Sequence, residues 1–231
     1  MAKCKLGPIV AQASGSMGGT VFAHNRYGSY FRQRVIPVTS TTAAALAQKA
    51  RMAAHSAAFG ALTAPQILGW DQWAQSNPIT DRLGDQQILT GHASFVRINM
   101  RLDKAGQTPL VAPPIGTSPL SLTTLTLSAD IGIGTFDLTF AATPTAAEDM
   151  LVVQACNVDS IAIKYVQNLF RTIGFSTVAQ ASPLDIDTMY AAKFGTPAVG
   201  SYVHCQVWVL DTETGLISRP IKSSAIVVET A

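Results

Sequence analysis

Charge is what this sequence has least of. Asp, Glu, Lys and Arg make up 13% of its 231 residues, about half of the ~25% usual in soluble globular domains. A free-standing monomer ordinarily keeps a more heavily charged surface for solubility. A chain this sparing, rich in Ala, Thr and Ser, is expected to have much of its surface covered by neighbours. Acid is missing altogether from the start of the chain. The first carboxylate is Asp71, and Lys3, Lys5, Arg26, Arg32, Arg34, Lys49 and Arg51 all precede it. Cysteine is scarce as well: Cys4, Cys156 and Cys205 fit neither a disulfide framework nor a metal-ligand spacing. That pattern is expected of a chain made and folded in a reducing cytosol. No window approaches the ~20 consecutive apolar residues needed to span a bilayer, so no membrane is expected among its partners. Residues 2 to 13 hold no unbroken apolar stretch of the length a signal peptide's h-region needs, so no secretory leader is expected either.

Catalytic groupings are equally thin. His24, His55, His92 and His204 are scattered, and no two stand at ligand spacing. No nucleophile elbow accompanies them. Gly15-Ser16-Met17-Gly18-Gly19-Thr20 has the glycines of a phosphate loop but no following Lys, and what comes next is strand-like. Asp185 and Asp187 read as turn-capping residues, with a bound cation as the alternative. No enzyme, cofactor or metal is expected.

What is present is organised by charge and by period. Residues 1–117 carry 11 Lys/Arg against 4 Asp/Glu, a balance of +7, and residues 118–231 carry 5 against 10, a balance of −5. Opposite halves can attract between copies, or the basic end can face nucleic acid or an acidic partner. Four segments are expected, an extended arm with a β-hairpin (1–36), a helical unit (37–106), a Pro-rich linker (107–119) and a β-sandwich (120–231). The fold class is thus α+β and multidomain.

In the arm, Thr20–His24 and Tyr30–Ile36 are β-branched and aromatic runs split by a Gly-containing loop, which reads as a hairpin. Strand alternation puts Tyr30, Arg32 and Arg34 on one face and Phe31, Gln33 and Val35 on the other. An isolated two-stranded hairpin is marginal in water and is expected to dock on something. The assembly residues expected from this stretch are Gly18, Gly19, Phe22, Arg26, Tyr27, Tyr30, Arg32 and Arg34. The glycines suit unusual backbone angles and close approach, and Tyr and Arg are favoured interface anchors. The same cluster could pair with phosphates and stack on bases, but no known nucleic-acid-binding pattern accompanies it, so protein is the favoured partner.

The helical unit reads as three helices. Ala43–Phe59 has Leu46, Ala50, Ala53 and Ala57, with Phe59, along one face. A short helix follows Thr63 with Pro65 in its first turn, and a third follows Thr90. Their expected core is Trp70, Trp73 and Phe95. Pro109, Pro113, Pro114 and Pro119 mark the linker as semi-rigid. Beyond it, strands are expected at Leu120–Ser128, Thr135–Ala141, Met150–Cys156, Ile161–Gln167, Ser201–Leu210 and Ile221–Glu229, with a helical turn near Asp185–Phe194. About seven short strands in this length suit a sandwich.

Two resemblances follow from these residues. The run Tyr202-Val203-His204-Cys205-Gln206-Val207-Trp208-Val209, then Asp211 to Gly215, then Ser218-Arg219-Pro220 resembles the penultimate strand, turn and last strand of fibronectin type III domains. The resemblance implies an immunoglobulin/fibronectin III-like antiparallel sandwich, with Tyr202 bonding back to the preceding corner. The early buried tryptophan of that family is missing, since Trp208 is the only tryptophan in this half.

The ordered series Gly18-Gly19-Thr20-Val21-Phe22, Asn25-Arg26-Tyr27-Gly28, Tyr30, Arg32, Arg34, Pro37, Thr42, Leu62-Thr63, Gln66, Trp70, Ala74, Leu89-Thr90-Gly91, Phe95 and Asn99 resembles uncharacterised virion structural proteins of tailed bacteriophages. It implies a non-enzymatic virion component, capsid-associated, decorating or minor, made in the bacterial cytoplasm. Its expected partners are other virion proteins or further copies of itself, in a homo-oligomer or a lattice. A host-recognition module is the first alternative, and a nucleic-acid-contacting particle protein the second.

Overall fold

The computed structural model describes residues 2–3, 13–25, 28–36, 38–80, 85–132, 134–141, 147–160, 163 and 165–230. The chain is mixed α+β, with four helices and several antiparallel sheets among the described residues. It divides into two units, Met1–Lys49 and Ala50–Ala231.

The first unit is a ribbon. Strands β1 (Ala2–Lys3), β2 (Gly15–Met17), β3 (Thr20–Asn25) and β4 (Gly28–Gln33) form one antiparallel sheet in the order β1-β4-β3-β2. The expected hairpin is β3–β4, running from Thr20↔Gln33 to Asn25↔Gly28. Helix α1 (Ala43–Gly60) starts in this unit, where Thr42 Oγ1 accepts from Ala45 N–H at 3.4 Å and Lys49 Nζ donates to Ser40 O at 3.0 Å.

In the second unit, α2 (Ala64–Ser76) begins where Thr63 N–H donates to Gln66 Oε1 at 2.8 Å, one turn-length bond that satisfies an otherwise orphaned amide. A two-stranded ladder of β5 (Ile79–Thr80) and β6 (Gln86–Gln87) precedes α3 (Gly91–Lys104), which is capped by Thr90 Oγ1 accepting from Ala93 N–H at 3.2 Å. Trp70 and Phe95 meet edge to face at 5.3 Å, Phe59 meets Phe95 at 5.4 Å, and the partly buried Trp73 completes the cluster. Gly91 is where α3 crosses α2 most tightly. A Cβ there would lie 2.8 Å from Asp71 N and 2.9 Å from Trp70 C.

The proline-rich stretch is tied to these helices. Trp70 Nε1 donates to Val111 O at 2.9 Å, and the Asn99 amide both donates to Leu110 O (3.0 Å) and accepts from Leu110 N–H (2.7 Å). A buried amide paired on both sides with one backbone residue satisfies four polar groups at once.

The remainder is a β-sandwich-type arrangement. One sheet has β7 (Leu125–Asp130) and β8 (Thr135–Phe140) with β11 (Leu184–Asp185), in the order β11-β8-β7. The other has β9 (Asp149–Val158), β10 (Arg171–Val178), β12 (Tyr202–Asp211) and β13 (Ile221–Ile226), in the order β10-β9-β12-β13. Alternation on β12 turns Val203, Cys205, Val207 and Val209 inward, each fully buried, against Leu127, Phe136 and Leu138 of the facing sheet. Helix α4 (Asp187–Phe194) closes one side with Tyr190.

Three expectations are corrected. No strand covers the described part of Ile161–Gln167, and Ile161, Ala162 and Lys164 lie outside the described residues; the strand beside β9 is β10 instead. Its sequence hides it because Gly174 sits at a register shift and β10 is an edge strand with no alternation in its burial. The first strand after the linker begins at Leu125 rather than Leu120. The expected α1 stripe is also misplaced: Leu46, Ala50, Ala53 and Ala57 are exposed, and the inward contacts come from His55 and Phe59.

Candidate functional site

The ribbon of the first unit is the candidate site. Its distinguishing property is that, of residues 13–49 whose burial is described, none is buried. Register fixes what each face carries. Phe22 and Phe31 are cross-strand partners, with ring centroids 6.5 Å apart, and share their face with Thr20 and Gln33. Val21 pairs with Arg32 and Ala23 with Tyr30, so the opposite face carries the cationic and aromatic groups. Arg34 lies past the end of β4, where its N–H donates to Gly19 O at 2.7 Å. Arg26 and Tyr27 lie outside the described residues.

Gly18 and Gly19 form the turn between β2 and β3, whose last paired residues are Met17 and Thr20. Gly18 has φ +56°, the left-handed region that glycine enters without steric cost. Among the described residues nothing comes within 4 Å of a Cβ added at Gly18 or Gly19. The turn therefore favours glycine at Gly18 through its backbone angle, and no close neighbour among the described residues requires it at either position.

The ribbon also presents apolar surface. Met17 and Phe31 are exposed, and after the last strand Val35, Ile36 and Val38 are 71%, 82% and 97% exposed. Large side chains left in water forgo ~1.5–3 kcal/mol each relative to full burial. Within the second unit, the Ala50–Gly60 part of α1 likewise buries only His55, which lies 3.5 Å from Asp103, itself 3.5 Å from Arg51.

The other sequence-singled residues are spread out. Ser56 Oγ and His92 Nε2 are 3.0 Å apart on exposed helix faces, with the Phe59 ring against the imidazole. This is a helix–helix contact; among the described residues it is joined by no carboxylate bond to His92. Asp185 Oδ1 accepts from Asp187 N–H at 2.8 Å, a turn-capping bond at the start of α4. Among the described residues no cluster of three or more His, Cys, Asp or Glu side chains is placed to hold a metal. Burial pushes the Cys205 thiol up to about 12, with the neighbouring Cys156 adding to the shift, so Cys205 stays protonated at neutral pH. Burial lowers the His204 pKa.

Tyr202 packs on Cys156, Val158, Val166 and Phe170. Its hydroxyl makes no corner bond among the described residues, which corrects the expectation for it. Tyr202 and Trp208 are both half-buried. The aromatic that stands out from the sandwich is Tyr165, 71% exposed. Sequence pattern did not single it out, because the expected strand through it does not form.

No protein-family model matches the chain, and no curated protein matches it. Among solved structures, an Fn3-like protein from Clostridium thermocellum is similar at 15% identity and a TM-score of 0.31, over 50% of this chain and 97% of that one. No helix among the described residues is long and apolar enough to cross a membrane.

Proposed function

We propose that this chain is a non-enzymatic structural component of a bacteriophage particle, assembled through its N-terminal ribbon onto copies of itself or other particle proteins. The observation that carries the reading is the coreless ribbon: a four-stranded sheet in which no described residue from 13 to 49 is buried. Small sheets need a buried face to persist in water, so a face supplied by a partner is the natural completion. Addition of a partner strand along the β2 edge, or capping of the Phe22–Phe31 face, would provide it. Tyr30, Arg32 and Arg34 would anchor the opposite side, with Arg26 and Tyr27 between β3 and β4. The low overall charge and the resemblance of residues 15–105 to virion proteins supply the particle context. In this reading the C-terminal half is a fibronectin III-like sandwich displayed on or between subunits.

Deletion of residues 2–36 tests the proposal. The truncated chain is expected to keep the cooperative melt of the helical and sandwich unit and to be lost from purified particles. Normal incorporation of the truncated chain would refute it. A host-recognition role for the sandwich is the second reading, and the exposed Tyr165 is the observation that favours it. Tyr165→Ala is expected to reduce host adsorption only if that reading holds.

A further inference from the structure

Arg97 and Arg101 stand one turn apart on α3 and both line a cleft of about 350 Å³ within the second unit. Trp73 forms part of its wall, and Ser94, Thr117 and Ser118 place hydroxyl-bearing side chains in the same lining. Among the described residues the lining holds no Asp or Glu. The acid on the same helix, Asp103, faces Arg51 and His55 instead. Neither Arg97 nor Arg101 has an ion-pair partner among the described residues, and Arg101 Nη1 makes one long bond, 3.4 Å, to Gly215 O.

This is an unusual state for two guanidiniums. Like charges four residues apart on a helix repel, and Arg101, drawn further into the protein than the exposed Arg97, loses hydration that no anion among the described residues replaces. Burial accordingly lowers the pKa of Arg97, and burial together with the charge of Arg97 brings Arg101 down to about 10. Arginine does not ordinarily stray from full protonation, so both side chains remain charged at neutral pH, with no carboxylate among the described residues to neutralise them.

We propose that this cleft binds a phosphate-type oxyanion between the Arg97 and Arg101 guanidiniums. A single guanidinium fork satisfies the two oxygens of a carboxylate. Two forks together with hydroxyl donors suit an acceptor with more than two oxygens and more than one negative charge. The phosphate can belong to a small molecule or to a nucleic-acid backbone; the recognition chemistry is shared. The inference does not rest on the assembly reading.

The experiment uses the full chain, with inorganic phosphate titrated at constant ionic strength against chloride, read by calorimetry and by thermal melting. Wild type is expected to bind phosphate and to melt higher in its presence, as ligand binding to the folded state requires. Arg97→Gln, at the exposed rim, is expected to weaken binding at least tenfold with the melt in chloride preserved. R97Q/R101Q is expected to abolish the phosphate response. A parallel titration with a short single-stranded oligonucleotide separates the sources. Arg97-dependent oligonucleotide binding assigns the anion to a nucleic-acid backbone, and an Arg97-dependent response to phosphate alone assigns it to a small molecule. If neither probe shows binding that depends on Arg97, or if the variants respond as wild type does, the proposal is overturned.

Discussion

The ribbon sheet β1-β4-β3-β2 and the sandwich sheet β10-β9-β12-β13 are both four-stranded and antiparallel, and both alternate side chains across two faces. They differ in what lies behind one face. On β12 the inward residues Val203, Cys205, Val207 and Val209 are fully buried against a second sheet, whereas on the Phe22–Phe31 face of the ribbon neither phenylalanine is buried among the described residues. Removal of apolar area from water, at roughly 25 cal/mol per Å², is what separates a sheet that sustains itself from one that awaits a partner.

That contrast is broken or sharpened by substitutions on either side of it. The largest effect is expected at Trp70, which is fully buried, packs edge to face on Phe95 and donates to Val111 O. Trp70→Ala should cost about 3–5 kcal/mol in chemical denaturation, and a loss under about 1 kcal/mol would show that the helical cluster is not part of the cooperative core. Gly91→Ala comes next. The added methyl meets the Asp71 carboxylate and also the backbone of Asp71 and Trp70, which cannot swing aside as a side chain can, and an expected loss of about 1–3 kcal/mol is read in the same experiment. A smaller change of opposite sign is expected at Tyr190, whose hydroxyl is buried without a hydrogen-bond partner among the described residues. Tyr190→Phe should hold stability or raise it by up to about 1 kcal/mol, because an unsatisfied buried hydroxyl carries a desolvation penalty; a clear loss would mean the hydroxyl is partnered in solution. The smallest effect belongs to the ribbon. Phe31→Ala in the isolated chain should move the main melt by less than about 0.5 kcal/mol, as an exposed site does, while the same variant should be depleted from particles.

Much of this contrast could be read from the residues. The strands near 135–140 and 202–210 are legible because their apolar residues alternate, that near 150–156 because it is a short, nearly continuous apolar run, and the hairpin because turn residues split two β-rich runs. Helices α2 and α3 announce themselves through Thr63, Pro65 and Thr90. What stayed hidden has physical reasons. Gly174 looks like a breaker inside β10, but its missing side chain makes room for Met189 of α4, whose Cγ would lie 3.1 Å from an added Cβ. In α1, alanine on nearly every face gives no contrast from which to choose the inward one, and the choice falls to His55 and Phe59. The arginine pair on α3 has the spacing of a solvated helix face. Only the chain folding back from residues 110–118 and from the turn at Gly215 turns that face into a cleft. The coreless state of the ribbon was legible only as marginality, since absence of a covering layer is a tertiary fact.

The most direct test of the central claim is backbone hydrogen exchange of residues 15–33 in the dilute isolated chain and in assembled particles. With strands β9 and β12 serving as the protected internal reference, the ribbon amides are expected to exchange near the free-chain rate in isolation, because no buried face holds them. In particles they should slow by orders of magnitude. Strong protection of the ribbon in the dilute chain, or unchanged exchange on assembly, would contradict the account.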